Sequence, residues 1–254
     1  MQSQSEVKQS FKVLLYASAL TLALWFIPFA GALTYPIRLF VTFLHETGHA
    51  LAALATFGGV NRVDLFWDGS GRMEFQGGWR WVVWTAGYLS TTIYGSALLL
   101  TLRRERNAKK AALVTGSLMI GITALFAGNL LAVLVGLVAG AGLLALWRYG
   151  RPRVTHFLMS FLAVQCLLNA FYDVRTLLFV SAFDSTLDTD ARYMALATGI
   201  PSLVWAAGWA IVSAVVLGAT LFVYYRSLQK RAIAEEPPSL LLPDFPSLPA
   251  ERRF

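Results

Sequence analysis

His45, Glu46 and His49 stand within five residues, in His45-Glu46-Thr47-Gly48-His49. Residues four apart share a helical face, so the two imidazoles can aim their ring nitrogens at one point. Two neutral imidazoles at that spacing make half of a zinc site. Glu46, beside them, is placed to take a proton from a metal-activated water rather than to bind the metal. Val41-Thr42-Phe43-Leu44 precede the motif and Ala50-Leu51-Ala52-Ala53-Leu54 follow it, which excludes an idle solvated face. Ionisable side chains inside a bilayer are rare and mark function by default. The expectation is a zinc hydrolase whose active site is buried in a membrane.

A catalytic zinc takes three protein ligands and keeps a fourth position open. Asp173 is the carboxylate lying deep in a later apolar run, Leu167-Leu168-Asn169-Ala170-Phe171-Tyr172-Asp173, and is the expected third ligand. Asn169, four residues earlier, shares its helical face and is placed to hydrogen-bond that carboxylate or a substrate. The competing reading makes Asp173 a helix-end residue paired with Arg175, although residues two apart on a helix point apart. Asp184 is the alternative ligand, in a stretch that reads as loop or cap. His156 follows Arg151-Pro152-Arg153 and reads as a residue of the membrane surface.

The elements that must position these groups are helices in lipid. The chain has 254 residues, of which 57% are hydrophobic and 14% charged. No soluble domain needs that much apolar surface, so the fold class is an all-α polytopic membrane protein. A spanning helix takes about 20 apolar residues. On that measure the runs are Phe11–Leu33, Ile37–Phe57, Trp81–Leu102, Ala108–Phe126, Leu130–Trp147, Val154–Val180 and Ile200–Tyr225, or about six to seven transmembrane helices. The first run reads as an uncleaved helix, with a signal peptide ending near Ala30-Gly31-Ala32 as the alternative. Between the second and third runs, alternating residues flank Asp68-Gly69-Ser70-Gly71 and predict a small β-hairpin after the zinc-motif helix. An exposed strand edge there is suited to pairing with an extended substrate. Gly128 and Asn129 leave little room for a turn between the fourth and fifth runs, which reads as a tight helical hairpin or a broken pair.

The net charge of +7 sits largely between the runs, as in Arg103–Lys110. That pattern suits cytoplasmic loops facing anionic lipid and not a nucleic-acid surface. With Cys166 alone, neither an intrachain disulfide nor a cysteine zinc cluster can form. The organisation expected is an N-terminal helix and linker over residues 1–36, a membrane-embedded domain over 37–226 and a disordered Pro-rich tail over 227–254. Loop charge places the C-terminus in the cytoplasm, with the plasma membrane as the expected location.

With those residues in view, the sequence resembles the site-2 protease class of intramembrane zinc metalloproteases, and most closely its short branch without an inserted PDZ domain. His45-Glu46-Thr47-Gly48-His49-Ala50, the Gly-rich region Gly58–Gly78, Trp84-Thr85-Ala86-Gly87-Tyr88-Leu89-Ser90 and the pair Asn169 and Asp173 carry the resemblance. It covers roughly Ile37 to Trp209. The family's Asn-x-x-Pro stretch and Asp-Gly pair are absent, since Val174 follows Asp173. The resemblance implies one Zn2+ held by His45, His49 and Asp173, with Glu46 as general base. Gly87 and Asn169 would support the site or the substrate. The partner implied is a transmembrane protein substrate that unwinds locally before attack, since its backbone is otherwise internally bonded. A zinc-binding membrane scaffold without activity is the alternative, and Glu46 argues against it, because a scaffold needs no base. A metal transporter ranks last, since the ligand-bearing runs are not copies of one another.

Overall fold

The computed structural model describes residues 16, 19, 30–183 and 188–233. Its elements in chain order are α1 (Ala30–Ala55), β1 (Gly59–Leu65), β2 (Gly71–Gln76), α2 (Arg80–Thr101), α3 (Ala108–Phe126), α4 (Leu130–Tyr149), α5 (Pro152–Phe183), α6 (Asp190–Thr198) and α7 (Ser202–Ile233). A short 3-10 turn, Glu105–Asn107, leads into α3.

Among the described residues, four helices are long and apolar enough to cross a membrane: Glu105–Phe126, α4, α5 and the Ser202–Ser227 part of α7. The expected count of six to seven is therefore not reached by length and composition. α1 and α2, of 26 and 22 residues, are as long but are not among them. Most of the first expected run lies outside the described residues, as do Asp184 and most of the expected tail. The break expected between the first two runs is absent, because α1 begins at Ala30 and continues through Pro36. Pro36 is the seventh residue of α1, so its missing amide costs the helix one internal hydrogen bond.

The hairpin forms as the alternation predicts. β1 and β2 pair antiparallel, from Gly59 opposite Gln76 to Leu65 opposite Gly71, with an irregularity between Val60 and Arg62. Arg62 sits across from Glu74 and donates to its Oε1 at 2.7 Å. That bond holds the half-buried Glu74 carboxyl below its usual range. In the turn, the Ser70 hydroxyl and amide both donate to Asp68 Oδ1 and lower that carboxyl likewise. The hairpin does not project away. It folds back along α1, where the Thr42 hydroxyl donates to the Gly69 carbonyl at 2.9 Å and the Tyr35 hydroxyl to the Trp67 carbonyl at 2.7 Å.

The second edge of β1 is also covered. The Gly128 amide donates to the Val63 carbonyl at 2.8 Å, and Val63 bridges Ala127 in parallel. Asn129 then caps α4 by accepting from the Ala132 amide at 2.9 Å. The tight turn expected at Gly128 and Asn129 thus doubles as a short third partner for the sheet. Among the described residues, the outer edge of β2 pairs with no further strand.

One apolar core joins α1, β1, α2, α3, α4 and α5, with Phe43, Met119 and Met159 fully buried in it. A second, smaller core gathers Leu177, Ala191, Met194, Ala206 and Trp209, which seats α6 against α5 and α7. His156 belongs inside rather than at a membrane surface: it is 1% exposed, and its Nε2 donates to the Leu102 carbonyl at 2.8 Å. The acceptor is the C-cap residue of α2, where the last carbonyls of a helix have no internal partner.

Candidate metal centre

α1 is helical across the whole His45–His49 motif, so both imidazoles leave the same face. Their Nε2 atoms lie 3.1 Å apart. The Nδ1 of His49 is 2.7 Å from the Val83 carbonyl in the first turn of α2. That acceptor puts the proton on Nδ1 and leaves the Nε2 lone pair free, as a metal-binding imidazole requires. Tyr88 meets the His45 ring edge-on, with centroids 4.9 Å apart, and itself stacks on Trp209.

The third group comes from a different element. Asp190, the first residue of α6, brings its Oδ2 to 3.5 Å from His45 Nε2 and 3.3 Å from His49 Nε2. Three donors held by a tetrahedral zinc at about 2.0–2.1 Å stand roughly 3.3 Å from one another. The observed edges bracket that value. His45, His49 and Asp190 are therefore close enough to hold one metal ion, and they form the one such group found among the described residues. Burial works against an ionised Asp190, but the two imidazoles outweigh it and hold the carboxyl below its ordinary range.

Space for an ion is built in by glycine. A Cβ on Gly87 would collide with Nε2 of both His45 and His49. The backbone of α2 thus passes directly over the donor atoms, and no side chain fits between. The donor set and this clearance both fit a divalent metal.

Glu46 is buried beside the pair, and its electrostatic neighbours are His45, His49 and Asp190. β2 closes over it, since a Cβ on Gly71 would overlap the Glu46 side chain and the Thr42 methyl.

Asp173, the expected third ligand, stands outside the three-donor group. It approaches from α5, where Asn169 Nδ2 donates to its Oδ2 at 3.2 Å, and its electrostatic neighbours are His45 and Arg38. The Asn169–Asp173 pairing follows the i, i+4 spacing read from the sequence. The competing pairing of Asp173 with Arg175 is not formed among the described residues.

The sequence reading does not single out Asp190 as a ligand. A local signal exists. Thr189 accepts from the Arg192 amide at 3.2 Å, Ala191 and Met194 are buried three apart, and Gly199 ends the helix at a positive φ of 73°. A cap, an apolar pair and a terminal glycine announce a short helix with Asp190 in its first turn. Trp84 of α2 stacks on Tyr193 with centroids 5.9 Å apart, fixing α6 over the centre.

Residues 14–220 match the family model described as Peptidase M50B-like. None of the curated proteins and none of the solved structures matches the chain.

Proposed function

The chain belongs to the Peptidase M50B-like family, which is the site-2 protease family, and from that premise we propose that it is an intramembrane zinc metalloprotease. In this reading it hydrolyses peptide bonds within or near the transmembrane segments of other membrane proteins. The observation that carries it is the triangle of His45 Nε2, His49 Nε2 and Asp190 Oδ2, with edges of 3.1, 3.3 and 3.5 Å beside a buried glutamate.

His45, His49 and Asp190 would hold the ion. Bound there, zinc supplies Lewis acidity toward a water and toward the scissile carbonyl. Glu46 accepts the proton of the attacking water and returns it to the leaving amine. Val83 fixes the tautomer of His49 through its carbonyl, and Gly87 keeps the approach open. Asp173 and Asn169 remain candidates for a supporting role, as a further ligand or as substrate contacts. The free edge of β2, which runs past Glu46 from Gly71, is suited to pair with an extended substrate by main-chain hydrogen bonds.

Four spanning-length apolar helices and a membrane protease family make this an integral membrane protein. We place the protease domain in residues 37–226, the C-terminus in the cytoplasm and the protein in the plasma membrane, on the charge of the loops.

The test is cleavage of a single-span protein in proteoliposomes by wild type and Glu46→Gln, with zinc content measured on both. Loss of cleavage with zinc retained is the expected result. Equal cleavage by the two proteins removes the protease reading.

A further inference from the structure

Tyr88 follows Gly87, the residue whose backbone passes over the donor atoms of the centre. Its ring meets His45 edge-on, at a centroid distance of 4.9 Å and an interplanar angle of 87°. Trp209 stacks on the same ring at 5.4 Å and 19°. Contacts from α1 and α7 thus hold the phenol beside a donor imidazole. Tyr88 is half-buried, and the charges that act on its hydroxyl are those of Asp190, Asp173 and Glu46.

That hydroxyl has no hydrogen-bond partner among the described residues. Neutral donors on the neighbouring turns are committed elsewhere. Thr47 donates to the Phe43 carbonyl at 2.8 Å, Ser90 to the Gly87 carbonyl at 2.8 Å and Asn169 to Asp173 at 3.2 Å. The Nδ1 proton of His49 goes to the Val83 carbonyl. The Tyr88 phenol is the donor left unspent beside the centre. A polar group partly withdrawn from water without a partner is costly, and its retention calls for an acceptor that arrives later.

Peptide hydrolysis brings one. As water adds to the scissile carbonyl, its proton passes to Glu46 and the carbonyl π electrons move onto oxygen. That negative charge develops near three carboxylates, which donate nothing when ionised. We propose that Tyr88 is a second catalytic residue, whose hydroxyl donates a hydrogen bond to this oxyanion. Tyr88 keeps its proton throughout. When the oxyanion collapses, the C–N bond breaks and the leaving amine takes the proton held by Glu46. This role rests on the protease reading and adds a residue to it. A ring that only packed His45 and Trp209 would serve equally well as phenylalanine.

The experiment compares full-length wild type and Tyr88→Phe, zinc-loaded in proteoliposomes with a single-span substrate. The variant keeps both ring contacts and removes the hydroxyl alone. It should lower kcat on the order of 100-fold, the effect of losing one oxyanion donor, while KM and zinc affinity stay at the wild-type values. A phosphinate analogue of the substrate peptide, which sets a tetrahedral anion at the scissile position, should bind the variant at least about tenfold more weakly than wild type. Equal kcat and equal phosphinate affinity in the two proteins overturn the role of Tyr88 and leave the protease reading standing. A lower zinc affinity in Tyr88→Phe also overturns it, since the residue would then act as a support of His45. Wild type that cleaves nothing removes the protease reading and this role with it.

Discussion

Asn129 holds both backbone groups of Leu65: its Nδ2 donates to the Leu65 carbonyl at 2.7 Å, and its Oδ1 accepts from the Leu65 amide at 3.3 Å. The same Oδ1 caps α4 at Ala132. One side chain thus ends the outer edge of β1 and starts a spanning helix. Asn129→Ala would remove the cap, worth about 1 kcal/mol, and strand two partly buried backbone groups. The expected outcome is about 1–3 kcal/mol lower stability in denaturant titration, with faster amide exchange in β1 and unchanged exchange in α5. Exchange that rises evenly through the protein would mean the hairpin is held by other contacts.

The part of this arrangement that was legible in the sequence is the part set by local spacing. His45, Glu46 and His49 share a helix turn, Asn169 and Asp173 share another, and the hairpin shows as alternation around Asp68 and Gly69. Each depends on neighbours within a few residues. Asp190 was not legible as a site residue, because what places it at the imidazoles is the stacking of Tyr193 on Trp84 and the burial of Met194. Those contacts join segments far apart in the chain. His156 misled for the same reason: its arginine and proline neighbours suggest a surface, while the carbonyl that receives it lies at the far end of α2.

Gly87 should be the most sensitive small residue of the centre. An added methyl must push both Nε2 atoms or the α2 backbone out of place. Gly87→Ala is expected to lower zinc affinity on the order of 100-fold, the upper range for disturbing a ligand's surroundings. The overall fold should persist, since α2 gains a better helix former there. Competition with a zinc chelator measures the affinity, and circular dichroism checks the helices. Wild-type affinity in this variant would mean that metal, if bound, sits elsewhere.

Tyr193 acts on the centre through position alone. Its ring stacks on Trp84 and carries α6 into place, yet it donates nothing to the ion. Tyr193→Ala should weaken zinc about tenfold by loosening Asp190, and Tyr193→Phe should restore it, because the stacking needs only the ring. A general loss of fold would lower both variants' thermal midpoints. A positioning role lowers the affinity of Tyr193→Ala while Tyr193→Phe stays at the wild-type value.

The two aspartates separate cleanly by experiment. Asp190 Oδ2 lies within 3.5 Å of both imidazole nitrogens, whereas Asp173 is engaged by Asn169 and stands outside that triangle. Asp190→Asn replaces an anionic donor by a neutral amide of the same shape, so packing against Ala191 and Met194 should survive while the ion is lost. Asp173→Asn should keep zinc near one per chain and lower cleavage, through the contact with Asn169 or the substrate. Zinc stoichiometry on the two purified variants, each with a cleavage assay, gives the answer. If Asp173→Asn loses the metal and Asp190→Asn retains it, the ion is held from α5. Asp190 would then be a salt-bridge partner of the imidazoles, and α6 would serve to cover the site rather than complete it.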